Sequence, residues 1–137
     1  KIDGKCCFEE SPAHAYCYKH QCEMTSLKVA EYLELKPNTY STIFQSRVSI
    51  IGQWLRPYTD KTIEAFAKNG AKELAIATPS FVSDCLETLE EIGMEATEDF
   101  EDNGGKHLHV IPCINDRDDW VKVLSRWIDE WALNKSA

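Results

Sequence analysis

Pro79-Ser-Phe-Val-Ser-Asp-Cys-Leu-Glu-Thr-Leu-Glu-Glu-Ile-Gly-Met-Glu95 is the stretch on which the reading of this chain turns. It follows an apolar run, Glu73-Leu-Ala-Ile-Ala-Thr78, that reads as a buried strand. Ser83 and Asp84 are cap-type residues and predict a helix start there. Along that helix Glu87, Glu91 and Glu95 recur at four-residue intervals. Like charges so spaced repel by roughly 0.2–0.5 kcal/mol per pair. A row of carboxylates is also a ladder of hard oxygen ligands, suited to holding or handing on a divalent cation. At about 100° per residue, Cys85, Leu89, Ile92 and Ala96 form one apolar stripe, with the three glutamates roughly opposite among Glu90, Glu98 and Asp99. Periodicity alone makes this an ordinary solvated acidic face. Gly93 resists that reading, because it weakens a helix by about 1 kcal/mol relative to Ala. A local change of winding such as a π-bulge would re-aim the carboxylates.

Toward the C-terminus, Asn103-Gly104-Gly105 ends the glutamate helix and His107 to Pro112 reads as a strand on which His107 and His109 share a polar face. Asn115 or Asp116 is expected to cap a last helix, with Trp120, Leu124, Trp127, Ile128 and Trp131 packed as core. Toward the N-terminus, Thr59 or Asp60 caps a helix that Asn69-Gly70 closes. Val48 to Asp60 is an irregular loop, and Tyr40 to Ser46 has the β-branched and aromatic content of a strand. A further helix from His14 to Leu35 is expected to stop at Lys36-Pro37-Asn38. Strands alternating with helices predict an α/β fold, a parallel sheet with helices on both faces. The chain opens on a helix, so the first strand is expected upstream of Lys1. Residues 1–17 read as a Cys-rich loop and residues 18–137 as one α/β domain. Ligands of such sheets bind beyond the C-terminal strand ends, here Phe44–Arg47, Thr78–Ser83 and Pro112–Asn115.

Composition narrows the possibilities. A net charge of −8 over 137 residues, with no basic stripe, argues against a nucleic-acid partner. No apolar run approaches the ~20 residues that span a bilayer, so no transmembrane segment is expected. The six cysteines sit in a larger α/β chain, which favours a reduced cytoplasmic compartment over a secreted disulfide framework. A peripheral membrane location stays open.

Gln45-Ser-Arg47, Trp54-Leu-Arg-Pro-Tyr-Thr-Asp60 and Phe81-Val-Ser-Asp-Cys-Leu-Glu-Thr-Leu-Glu-Glu-Ile92 occur in this order. Together they resemble the C-terminal half of a bacterial ferrochelatase, the enzyme that inserts Fe(II) into a porphyrin to make heme. The similarity runs from about Tyr18 to Trp131. It implies a chelatase-like, Rossmann-like domain, a porphyrin substrate with Fe(II), and the N-terminal domain of the same protein as partner. By resemblance Glu87 is the catalytic carboxylate, and Glu91 and Glu95 line a route for metal or protons behind it. Gln45, Ser46, Arg47, Trp54, Tyr58, Ser83 and Asp84 then fall at the porphyrin pocket. Trp54 and Tyr58 could stack on the macrocycle or simply anchor their loop, and Arg47 could meet a propionate or hold the loop. Cys85 departs from the pattern, since many relatives have histidine there. The family's catalytic histidine, in a Ser-x-His strand, is expected upstream of Lys1. None of His14, His20, His107 or His109 has its context, so the chain alone is expected to be inactive.

Some bacterial members carry a Cys-rich insertion that binds a [2Fe–2S] cluster, and the resemblance puts Cys6, Cys7, Cys17 and Cys22 in its place. Zinc and plain reduced thiols remain alternatives. Two rival functions also stay open: a non-catalytic iron–sulfur or metal-binding α/β module, and a chelatase for another metal or tetrapyrrole.

Overall fold

Residues 6–45 and 54–135 are described in a computed structural model of the chain. They fall into two compact units, Lys1–Thr62 and Ile63–Ala137. Each is described by itself.

In the first unit a 3-10 turn, Pro12–Tyr16, precedes helix α1, Tyr18–Tyr32. The expected single helix from His14 is thus broken at Cys17, whose backbone is extended (φ −88°, ψ 108°). Ser11 caps the 3-10 turn through a side-chain bond from the Ala13 N–H. Pro37 does not end α1. Glu34 takes a left-handed conformation (φ 53°). The Leu35 N–H then reaches the Ala30 carbonyl at 2.9 Å and the Glu34 N–H reaches Glu31 at 3.1 Å, a Schellman closure. The strand expected over Tyr40–Ser46 reduces, among the described residues, to one parallel bridge between Phe44 and Tyr58. Phe44 donates to the Pro57 carbonyl and accepts from the Thr59 N–H. Pro57 has no N–H to give, so the ladder has no donor with which to extend there.

Helix α2, Thr59–Lys68, spans the boundary between the units and closes as expected on Gly70 (φ 95°), with Ala71 N–H on the Phe66 carbonyl. The second unit continues through strand β1, Glu73–Ala77. A π-helix follows over Glu87–Glu95 and runs into helix α3, Ala96–Asp102. Strand β2, His107–Ile111, then pairs parallel with β1, Glu73 opposite His107 through Ala77 opposite Ile111. Helix α4, Asp118–Lys135, ends the chain as described. Mixed helices and a small parallel sheet place the chain in the expected α/β class.

The sheet's inward residues Ile76 and Leu108 are buried together with Ile63, Ala67, Ile92, Ala96 and Phe100. On the long helical segment the buried side chains are Thr88, Ile92, Ala96 and Phe100, whereas Leu89 is 61% exposed. The stripe read from the sequence was therefore turned by one residue at Leu89. The α4 stripe departs further from expectation. Trp127, Ile128 and Trp131 are half or more exposed, and Trp120 meets Trp127 edge-on at 5.8 Å. The helix begins at Asp118, later than the expected cap at Asn115 or Asp116 would start it, and Asn115 instead turns left-handed (φ 53°) with its side chain used elsewhere.

Gly104 (φ 101°) and Gly105 close α3 by a third Schellman turn, Gly105 N–H on the Phe100 carbonyl at 2.9 Å. A Cβ on Gly105 would lie 2.3 Å from the Phe100 ring, which is fully buried. Gly105→Ala should lower unfolding stability by about 1–3 kcal/mol, the usual cost of overpacking. Denaturant midpoints compared with wild type check this, and an unchanged midpoint would mean the Phe100 site is looser than described.

Candidate functional site

The acidic helix is wound as a π-helix for nine residues, Glu87–Glu95. Its rings close one residue later than in an α-helix, as the Ala96 N–H shows by reaching the Glu91 carbonyl. One turn earlier, Leu89 N–H still bonds Cys85 in the α pattern, at 2.9 Å. Gly93 sits in the widened stretch, where an added Cβ would meet the Thr88 carbonyl at 3.3 Å. Glycine is the residue that tolerates this approach at no steric cost.

Rewinding changes what the glutamates face. Glu87 and Glu91 are half-buried and Glu95 is exposed, so the row passes from the protein surface inward. Glu90, Glu98 and Asp99 are exposed. The row is thus partly sheltered, where a regular solvated face would expose all three. The Cys85 thiol donates to the Glu87 carboxylate and, with the Glu87 backbone N–H, holds its carboxyl below the ordinary glutamate range. Glu87 is therefore an ionised acceptor, able to take a proton or an oxygen-seeking cation.

The π-helix is entered through a dense polar junction. Asn115 donates from Nδ2 to Asp84 Oδ2 at 2.7 Å, and its Oδ1 accepts the Asp84 backbone N–H at 2.9 Å. Asn115 N–H also bonds the Val82 carbonyl at 2.9 Å. Thr88 is buried, takes the Cys85 N–H at 2.9 Å, and shares its hydroxyl proton between Asp84 Oδ1 at 3.0 Å and the Cys85 carbonyl at 3.1 Å. Asn115, the Cys113 thiol, Thr88 and the Cys113 backbone N–H together hold the Asp84 carboxyl below the ordinary aspartate range. Burial pushes the Cys113 thiol up, and its sulfur lies 3.4 Å from the Thr78 hydroxyl at the end of β1. Asp84, expected at a porphyrin pocket, thus has its carboxylate committed to protein donors. Ser83 beside it is exposed. The sequence assigns Thr88 and Cys113 no site role and reads Asn115 as a candidate helix cap. The one signal was that Pro112–Asn115 follows a strand end.

In the first unit Gln45, Trp54 and Tyr58 come together. The Trp54 indole N–H donates to the Gln45 carbonyl at 3.1 Å, and the Arg56 guanidinium lies 5.1 Å from the Tyr58 ring centroid. Trp54 is 44% exposed. Ser46 and Arg47 lie outside the described residues.

The histidines have structural partners. His14 Nε2–H donates to the Cys6 carbonyl at 2.6 Å and His20 Nδ1–H to Cys7 at 2.7 Å, with their rings stacked at 3.7 Å. His109 meets Glu73 at 2.7 Å, beside His107 on the same strand face, as expected. Of the N-terminal thiols, Cys7 is buried, Cys6 exposed, and Cys17 and Cys22 half-buried. Among the described residues no three His, Cys, Asp or Glu side chains are arranged to hold a metal ion. The donor set as placed therefore does not fit a [2Fe–2S] cluster, which takes four thiolates. No helix among the described residues is long and apolar enough to cross a membrane.

Comparison with known proteins supplies the family. Residues 5–132 match the family model described as Ferrochelatase. A ferrochelatase of Bdellovibrio bacteriovorus is 45% identical over 117 residues, covering 85% of this chain and 35% of that protein. One from Legionella pneumophila is 43% identical over 114 residues, covering 83% and 34%. One from Opitutus terrae is 41% identical over 132 residues, covering 96% and 38%. The chain spans about a third of the length of these curated relatives. With a family match over nearly its whole length, the chain belongs to the ferrochelatase family.

Proposed function

We propose that this chain is the part of a ferrochelatase that brings the metal-handling carboxylates to a porphyrin, so that Fe(II) replaces two pyrrole N–H protons and heme is formed. The observation that carries the reading is the π-wound glutamate row, with Glu87 and Glu91 half-buried and Glu95 at the surface. Fe(II) is substrate here. Each insertion exchanges one dication for two protons, so a base near the ring accepts protons and releases them to solvent. Glu87, ionised beside the Cys85 thiol, takes the proton-accepting role. Glu91 and Glu95 offer further hard oxygens toward solvent, along which Fe(II) can pass in and protons out.

The porphyrin itself is assigned to the Gln45, Ser46, Arg47, Trp54 and Tyr58 segment. The aromatic groups of Trp54 and Tyr58 suit a macrocycle face, and Arg47 suits a propionate. We assign residues 1–17 as a Cys-rich segment and residues 18–137 as the C-terminal α/β domain of the enzyme. No histidine of this chain stands in the family's catalytic Ser-x-His context, so turnover belongs to the intact enzyme, together with the N-terminal domain. The location we assign is cytoplasmic. A [2Fe–2S] cluster on Cys6, Cys7, Cys17 and Cys22 rests on resemblance alone. Iron and labile-sulfide analysis of the full-length protein tests it: two of each per chain would support it, and the absence of both would remove it.

Two outcomes follow for the full-length protein. Glu87→Gln keeps size and polarity but loses proton affinity, and should lower kcat for Fe(II) insertion about 10²- to 10⁴-fold without changing the fold. A steady-state insertion assay with circular dichroism checks this, and retained turnover removes Glu87 from the mechanism. The second concerns pH. The reaction needs Glu87 as carboxylate, so activity falls as pH drops through its depressed pKa, below the ordinary glutamate value. Cys85→Ala deletes the donor that depresses it, the pKa rises, and the acid limb of kcat/KM should move to higher pH. An acid limb that stays in place would separate the thiol from the Glu87 charge.

A further inference from the structure

Asn115 lies beyond the end of β2, thirty-one residues from Asp84, yet the two side chains and one backbone N–H form a reciprocal pair. Each residue both gives and receives, so the pair fixes the orientation of the amide and of the carboxylate together. The Asn115 backbone is left-handed (φ 53°), a conformation in which Asn is tolerated and branched residues are not. That turn also delivers the Asn115 N–H to Val82, so the loop before the π-helix is held at two points, residues 82 and 84. Asp84 passes the constraint on: its Oδ1 takes the Thr88 hydroxyl, whose oxygen in turn receives the Cys85 N–H. Cys85 and Thr88 flank Glu87. The chain of bonds from the loop after β2 therefore reaches both sides of Glu87.

From this geometry we infer that Asn115 is a positioning residue for metal insertion: it clamps Asp84 and so sets where the π-helix begins and where Glu87 points. The inference rests on the proposed role of Glu87. The clamp has two parts that substitution separates. Asn115→Gly keeps the left-handed backbone and removes the side chain. Asn115→Asp sets two carboxylates against each other and removes the amide donor. The double exchange of Asp84→Asn with Asn115→Asp restores the side-chain bond with donor and acceptor reversed, keeps an oxygen at 115 for the residue-84 backbone N–H, and leaves the amide oxygen at 84 for Thr88.

In the full-length protein, Asn115→Gly and Asn115→Asp should each lower kcat for Fe(II) insertion about 10- to 100-fold, as misplacement of a reacting group does, with KM for porphyrin unchanged. The double exchange should recover most of that loss. A merely structural role would lower the folded fraction and leave the kcat of the folded enzyme alone, and would not produce the rescue. Wild-type kcat in the folded Asn115→Gly protein, or a double exchange no better than Asn115→Asp, overturns the inference. If Asn115→Gly fails to fold, Asn115→Asp against the double exchange decides alone. A wild-type protein that inserts no metal would sink the proposed function. Amide hydrogen exchange then decides the positioning role: faster exchange over residues 86–92 in Asn115→Asp, slowed again in the double exchange, sustains it, and unchanged exchange ends it.

Discussion

The Asp84 carboxylate, ringed by donors from Asn115, Cys113 and Thr88, is where the second unit is tied together. Two parallel strands give only five paired positions, a small sheet to hold a site. Their C-terminal ends would diverge into loops if nothing joined them. Thr78 and Cys113 sit at those ends, the first turning toward the acidic helix and the second toward α4, and both reach the junction around Asp84. Polar bonds of this kind work best when every member is satisfied. No buried side-chain polar atom among the described residues is left without a partner.

From that anchor the helix can afford an irregular winding. A π-helix leaves residues four apart on one side while it changes which of them are sheltered. Thr88, Ile92, Ala96 and Phe100 are held in the core, and Glu87 and Glu91 are drawn part-way in beside them. Gly93 is the local permission for this, being the position where a side chain would press on the Thr88 carbonyl. An α-helix would have been easier to form. The odd winding is held by packing on one side and by the fixed entry at Asp84 on the other.

Much of this was legible from local chemistry. Glu73–Thr78 and His107–Pro112 have the apolar or alternating content of strands, and both formed. Gly70, Gly104 and Gly105 marked helix ends that closed as expected. The glutamate spacing with an interrupting glycine pointed to altered winding. What was not legible depended on partners distant in sequence. Asn115 has the composition of a helix cap, and nothing local reveals that Asp84 will claim it. Tyr40–Ser46 has strand content, but a strand needs a neighbour that can donate, and Pro57 cannot. Glu34 is a poor residue for a left-handed helix end, so the break before Pro37 went unseen. The tryptophan stripe of α4 had the period of a core helix, yet Trp127 and Trp131 stand half or more exposed in their own unit.

The central claim is that a π-wound helix presents Glu87 and Glu91 together to a divalent metal. Anomalous diffraction from crystals of the full-length protein soaked in a divalent metal tests it most directly. The expected result is a metal peak at the Glu87 and Glu91 carboxylates, with the Ala96 N–H still on the Glu91 carbonyl. Ordinary α-helical winding over residues 87–95, or saturating metal with no peak at either carboxylate, would contradict it.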